Sequence, residues 1–354
     1  MAQKARSDGP ADGVRLHGAG VFIGGSAGGI EVLAELLSRF SPELAAPVLV
    51  VLHVGKSGTS VLPEILDRVG SMHVVTPAHG ETLVNGKVYV APRGRHMLVE
   101  DGHVLLNEGP SEHGLRPAID PLFRSAARTY GARAIGVIVS GMLDDGAAGL
   151  GEIRARGGWT LVQQPGEAAF ASMPEAAIAS VDVDYVLPAA ELADRIEKLV
   201  SSPSRAGDAS PAPRPAVDPY LSEFDGPAPP GMRTDITCPL CGGVLWEEVE
   251  RRLTMYRCRS GHAYSADSLL AVQGEGLDNA VWRPIRILTE RGALLRRLGA
   301  RASYQGRERS ARWFEEQADE ALRRAAEMRR AAEATGGRRT APGETGAERV
   351  EGDT

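Results

Sequence analysis

The sequence predicts an α/β domain on a doubly wound, mostly parallel sheet with a β-hairpin insertion, then a small cysteine-bearing module and a C-terminal helical hairpin. Three observations predict this order. From Gly20 to about Val200, short apolar runs alternate with amphipathic stretches, the pattern of parallel strands joined by helices. The chain then turns abruptly rich in proline and small polar residues. Beyond that break come all three cysteines, followed by an Arg/Ala/Glu-rich segment. A length of 354 residues fits about two domains and can bury a core without disulfide staples.

The strands come first. VFIGG (21–25), PVLVVLHV (47–54), HVVTP (73–77), KVYVAP (87–92), AIGVIVSG (134–141) and WTLVQQ (159–164) read as buried strands, and YVLP (185–188) as a shorter one. Ile30, Leu33, Leu36, Leu37 and Phe40 recur at helical spacing between the first two. Leu122–Tyr130 and Ala190–Val200 are further helices. HMLVEDGHVLLNE (96–108) differs, because Asp101-Gly102 between alternating runs signals a hairpin turn. The domains expected are a disordered start (1–17), an α/β domain (18–200), a Pro-rich linker (201–233), a cysteine module (234–270), a helical hairpin (271–335) and a disordered tail (336–354).

Composition narrows the class. An apolar fraction of 43%, a charged fraction of 24% and a net charge of −6 are ordinary for a soluble globular protein. No apolar run reaches the roughly 18 residues of a membrane span, and the polar N-terminus lacks the core of a signal peptide. Three cysteines cannot pair evenly, against a secreted disulfide framework. A cytoplasmic protein is expected.

Ser26 lies in Gly24-Gly25-Ser26-Ala27-Gly28-Gly29, after a strand and before a helix. There a hydroxyl points from the carboxyl edge of the sheet, glycines permit the turn, and the helix N-terminus offers free N–H groups. Taken alone, the motif also fits a phosphate-binding or structural turn. The dinucleotide spacing is wrong, however, no Gly-Lys-Ser/Thr follows, and the second strand ends in His53. Loops after neighbouring parallel strands meet at the carboxyl edge, so Ser26 and His53 should face each other. AIGVIVSG leads into Asp144-Asp145-Gly146, where either carboxylate singly would be a helix cap. As a set, Ser26, His53 and one aspartate supply nucleophile, base and orienting acid.

Residues 20–200 resemble the catalytic domain of the CheB-type protein-glutamate methylesterases. IGGSAGG (23–29), LH (52–53), VYVAP (88–92), RPAIDPLF (116–123), SGMLDDGAAG (140–149) and ASMPEAAI (171–178) carry the resemblance, in the family's order. It implies a hydrolytic α/β domain that cleaves glutamate γ-methyl esters on a methylated receptor-like helix, can also deamidate glutamines, and needs no cofactor for catalysis. It implies Ser26 as nucleophile, His53 as general base and Asp145 as orienting acid, with Asp144 a cap or surface group. Ala27 and Met142 are the backbone oxyanion donors expected from the turn positions. The sequence departs from the family pattern at Ala27, Val54-Gly55, Gly141-Met142-Leu143 and Leu115-Arg116-Pro117, with His113 two residues early. These departures bear on the substrate. With fewer than about 20 residues ahead of the first strand, a receiver domain is not expected there.

Cys238-x2-Cys241 and Cys258-x3-His262 use every cysteine. Three thiolates and an imidazole in this spacing point to a structural zinc ribbon, with VLWEEV and TMYRC as its strands. Residues 281–339 hold fifteen Arg against eight Asp/Glu, but the signs interleave at helical spacing. Trp313, Phe314, Ala318, Leu322 and Ala325 form one apolar face, and Leu288, Leu294, Leu295 and Leu298 another. A helical hairpin for protein interaction or self-association is expected ahead of nucleic-acid binding. The alternative to an esterase is a silent scaffold that works through this C-terminal module.

Overall fold

A computed structural model describes residues 18–53, 61–201, 229–250 and 252–336. The expected disordered start and tail, most of the linker, and Val54 and Gly55 lie outside the described residues. The chain divides into two compact units, 1–272 and 273–354.

Seven strands form the central sheet: β1 (Gly20–Gly25), β2 (Val48–Leu52), β3 (His73–Val75), β4 (Lys87–Val90), β7 (Ala134–Ile138), β8 (Trp159–Gln163) and β9 (Tyr185–Leu187). Their order is β3-β4-β2-β1-β7-β8-β9, and every pairing is parallel. The antiparallel hairpin of β5 (His96–Glu100) and β6 (His103–Asn107) stands apart as a two-stranded ribbon. Its turn residues Asp101 and Gly102 both have positive φ, 47° and 81°, as a type I′ turn requires.

Helices cover both faces, which is why the strands read as continuous apolar runs rather than alternating ones. On one side Val21 and Ile23 pack with Leu33, Leu36 and Leu37 of α1 (Gly29–Arg39) and Ile196 of α6 (Ala189–Ser201). On the other, Phe22 packs with Ile119 and Phe123 of α3 (Ile119–Tyr130) and Leu150 of α4 (Ala147–Ala155). Helix α2 (Leu62–Asp67) and α5 (Ser172–Ser180) complete the layers. The strand order reverses at β1, which has β2 on one side and β7 on the other. At such a switch point the connections diverge and leave a crevice at the carboxyl ends of the strands.

The cysteine module is a four-stranded antiparallel sheet of β10 (Met232–Thr237), β11 (Val244–Glu250), β12 (Leu253–Cys258) and β13 (Ala263–Ser265). The sequence shows only the middle two. Strand β13 is three residues long, too short for a periodic signal, and Met232 and Arg233, expected in the linker, open β10. The ribbon packs on the α/β domain within the same unit. Glu112 bridges Ala263 in parallel fashion, and the His113 N–H donates to the Ala263 carbonyl at 2.7 Å. Helix α7 (Ala266–Tyr304) starts directly after β13.

In the second unit, α7 and α8 (Glu308–Gly336) run back along one another: a Cβ on Gly292 would touch Leu322, and one on Gly299 would touch Phe314. The buried seam is Ile285, Gly292, Leu295, Gly299 and Ala302 against Ala311, Ala318, Ala321 and Ala325. Leu294, Leu298 and Trp313, expected in the packed faces, are exposed instead. The seam repeats by sevens and uses small residues that bring the helices close, so larger side chains one position off it are turned outward. No helix among the described residues is long and apolar enough to cross a membrane.

Gly24 faces the functional edge, where an added Cβ would lie 2.4 Å from Cγ2 of Ile119. Gly24→Ala should lower stability by about 1–3 kcal/mol through overpacking, read as a reduced urea midpoint with an unchanged slope.

Candidate active site

Strands β1 and β2 pair in the register Gly25↔Leu52. Ser26 and His53, the next residue on each, therefore leave the sheet side by side. The His53 N–H donates to the Gly25 carbonyl at 3.1 Å, and the Ser26 N–H donates to Ser140 O at 2.9 Å. Both turns are thus tied to the strand ends. Gly28 heads α1 at φ 73°, and a Cβ there would meet Ser140 Oγ at 2.7 Å, so the tight turn after Ser26 needs glycine.

Asp145 is 2% exposed, and its Oδ2 lies 2.9 Å from His53 Nε2. The contact is close but not along a good hydrogen-bond direction, and Nε2 has no well-aligned partner. With Nε2 turned to the carboxylate, Nδ1 is the ring nitrogen left for Ser26. The carboxylate also accepts the N–H groups of Ile119 (2.7 Å, Oδ2) and Asp120 (3.1 Å, Oδ1). These are the first two residues of α3, so Asp145 satisfies free N–H groups at the start of a helix distant in sequence. Burial works against its charge, but His113, His53 and the Ile119 N–H together hold the carboxyl far below the usual carboxylate range.

Neither aspartate takes the local capping role that the turn suggests. Gly146 heads α4 with no side-chain cap. Asp144, expected as a cap or surface group, is 6% exposed and accepts a hydrogen bond from Ser265 Oγ at 2.7 Å. The ribbon covers it, and a contact 121 residues away along the chain leaves no local signal.

His113 is the functional neighbour that the sequence reading left unassigned. Its Nε2 lies 2.9 Å from Asp120 Oδ2 and 3.7 Å from Asp145 Oδ1, and its Nδ1 is 3.0 Å from Ser268 Oγ. Burial opposes its charge, yet Asp145, Asp120 and Asp144 outweigh that and push its pKa up to about 10. The imidazolium then donates from both nitrogens, to Asp120 and to Ser268. The only sequence signal was its place two residues ahead of Leu115-Arg116-Pro117, where the chain departs from the family pattern.

Of the two expected oxyanion donors, Ala27 follows Ser26 and Met142 lies on the facing turn. A Cβ on Gly141 would come within 3.0 Å of Ser26 Cβ, so the two turns abut. Neither N–H donates to a backbone carbonyl in the turns and loops described. A cleft of about 260 Å³ opens beside His53, bounded by Leu62, Arg93 and the Gly114–Pro117 loop. Ser26 is not among the residues that line it.

The second cluster is Cys238, Cys241, Cys258 and His262, whose ligand atoms all lie within 4.8 Å of one another. Cys241 and Cys258 Sγ are 3.6 Å apart, and His262 Nδ1 lies 3.6 and 3.5 Å from Cys238 and Cys258 Sγ. Tetrahedral zinc with its usual bond lengths separates such atoms by about 3.5–3.8 Å. The donor set and the spacing fit that ion.

A doubly wound domain that gathers a turn serine, a histidine and a buried carboxylate at its switch point has the parts of a triad hydrolase. The sequence model of the CheB methylesterase family matches residues 21–196. The crystal structure of the Thermotoga maritima CheB methylesterase catalytic domain superposes with a TM-score of 0.50 at 30% identity, covering 52% of this chain and 100% of that one. The chain belongs to the CheB methylesterase family. A protein-glutamate methylesterase/protein-glutamine glutaminase of Anaeromyxobacter dehalogenans is 39% identical over 179 residues, 51% of this chain and 52% of that protein. One of Pyrococcus horikoshii is 36% identical over 202 residues, 56% and 54% of the respective chains. The chain thus spans about half the length of these curated relatives.

His113 gives the site a pH signature. Its pKa is raised from the ordinary 6.5 to about 10, so its contribution to stability is complete below about pH 6.5 and is lost as pH rises through about 10. Urea unfolding should show wild type weakening across that window by no more than about 1.4 kcal/mol per pH unit. His113→Asn should flatten the slope, and an equal slope in the variant would assign it to another group.

Proposed function

We propose that this chain is a triad serine esterase that removes γ-methyl esters from glutamate side chains of a protein substrate, with glutamine deamidation as a second activity of the same centre. The observation that carries this reading is Asp145, held at the α3 N-terminus with Oδ2 2.9 Å from His53 Nε2. A carboxylate so fixed orients the imidazole and stabilises the imidazolium that forms in the reaction. The family membership and the names of the relatives supply the substrate class.

Ser26 Oγ attacks the ester carbonyl and forms the C–O bond while His53 Nδ1 takes its proton. The oxyanion is held by the Ala27 and Met142 N–H groups, which lie on abutting turns. Collapse breaks the bond to methoxide, and His53 returns the proton, so methanol leaves. Water then repeats the cycle on the acyl-enzyme and releases the glutamate carboxylate and free Ser26. With a glutamine side chain the leaving group is ammonia.

We assign Cys238, Cys241, Cys258 and His262 to a structural zinc ion. Four protein ligands leave no position for substrate, and when bound the ion supplies folding energy to a ribbon with a small apolar core.

A fluorophosphonate probe should label Ser26 in the full chain and fail to label Ser26→Ala. Asp145→Asn should slow labelling by about 10⁴-fold, the cost of the corresponding change in a protease triad. Near-normal labelling of Asp145→Asn would remove Asp145 from the triad, and absence of labelling in wild type would favour the silent scaffold. For the ribbon, the purified chain should contain one zinc per molecule by atomic absorption. Its removal by a chelator should lower the β-sheet signal in circular dichroism, whereas a metal-free protein with the same signal would withdraw the zinc assignment.

A further inference from the structure

The serines that open α7 do more than cap their own helix. Ser265 Oγ accepts the Ser268 N–H at 3.1 Å, and Ser268 Oγ accepts the Ser265 N–H at 2.9 Å. This is a reciprocal capping box. Both hydroxyls then reach out of the ribbon into the α/β domain. Ser265 Oγ donates to Asp144 at 2.7 Å, and Ser268 Oγ receives the Nδ1–H of His113 at 3.0 Å. The other edge of the His113 ring faces Asp120 at 2.9 Å and Asp145 at 3.7 Å. Asp145 in turn lies against His53. Every member between the ribbon and the triad is shielded from water: Ser268 and Asp120 are 0% exposed, Asp145 2%, Ser265 3%, His113 4% and Asp144 6%.

We propose that the ribbon is part of the esterase centre, with Ser268 a positioning residue that acts through His113 on Asp145, and Ser265 its companion through Asp144. The inference rests on the triad reading above. A buried imidazole with one nitrogen unpaired would rotate toward a new partner or leave the pocket, because an unsatisfied buried donor is costly. Ser268 removes that freedom by accepting from Nδ1, and so holds the Nε2 edge against Asp120 and Asp145. The main chain adds a second tie: the His113 N–H bonds to Ala263 O, and a Cβ on Gly114 would meet Val272. The loop that walls the cleft beside His53 is therefore moored to the ribbon at the same place. The ribbon thus positions the acid of the triad and one wall of the cleft beside His53, rather than serving only as a separate binding module.

The test uses the full chain, Ser26 labelling by a fluorophosphonate, and steady-state hydrolysis of an activated acetate ester. Ser268→Ala should lower the labelling rate and kcat about tenfold, the lower range for outer partners of an active group, with KM unchanged. His113→Asn should lower them to a similar extent. The double variant should be no slower than His113→Asn alone, since both changes cut one chain of contacts. A Ser268→Ala protein that folds and labels at the wild-type rate overturns the proposal. So does a double variant that loses the product of the two single effects, because a merely structural serine would cost the same in either background. If Ser268→Ala does not fold, Ser265→Ala decides, since it removes the ribbon hydroxyl that donates to Asp144 and leaves the His113 cation in place. A tenfold loss there supports the link, and wild-type kcat removes it. Failure of wild type itself to label would instead discard the triad reading.

Discussion

The carboxylate of Asp145 is the constraint on which the rest of the first unit depends. It sits at 2% exposure, where an ionised group is tolerated only with several close partners. Those partners come from three separate pieces of chain: the N-terminus of α3, His53 at the end of β2, and His113 on the cleft loop. Fixing one carboxylate therefore fixes the angle at which α3 meets the sheet and the position of the His53 imidazole. The glycines around it follow from the same crowding. Gly146 has φ 96°, and a Cβ there would meet both Ile138 and Ile119, while a Cβ on Gly24 would meet Ile119 again. Ile119 is thus wedged from both sides with its N–H aimed at Asp145.

The nearness of Ser26 and His53 was legible because each follows a strand end, and parallel topology alone carries strand ends to one edge. The choice of Asp145 over Asp144 came from the family resemblance, since the strand-end rule serves both equally. The partners of Asp144 and His113 needed tertiary information. Their roles are set by Ser265 and Ser268, which lie 121 and 155 residues away along the chain, and no periodicity reports a contact of that kind. A clue did exist in Ser265-Ala266-Asp267-Ser268, which has the spacing of a capping box with serine in place of the usual acid. An acid at that position would have brought another negative charge against Asp144. The serine keeps the cap and leaves a neutral hydroxyl to meet a charged imidazole.

Packing explains the other departures from the sequence reading. The C-terminal helices carry more apolar residues than one seam can use, so periodicity alone could not choose between Leu294 or Leu298 and their neighbours. The choice fell to Gly292 and Gly299, which let α8 approach until Leu322 and Phe314 fill the space that a side chain would take. The ribbon's edge strands escaped notice for the opposite reason. They are short, and β13 gains its order from the Cys258-His262 turn on one side and the Ser111–His113 segment on the other.

That double attachment of β13 ties the cysteine cluster to the candidate active site. His262 is the residue before Ala263, whose carbonyl holds the His113 backbone, and Ser265 is two residues beyond Ala263. A ligand set that fixes His262 would therefore anchor Ala263, Ser265 and Ser268, one, three and six residues on, which are the ribbon's contacts to His113 and Asp144. A flexible tether could have joined the ribbon to the α/β domain without touching its interior. Instead the ribbon buries two hydroxyls against two charged groups of the α/β domain, an arrangement that costs free energy unless every donor and acceptor is matched. Matching them gives the two modules a single register, and the product of that register is the position of one carboxylate beside His53.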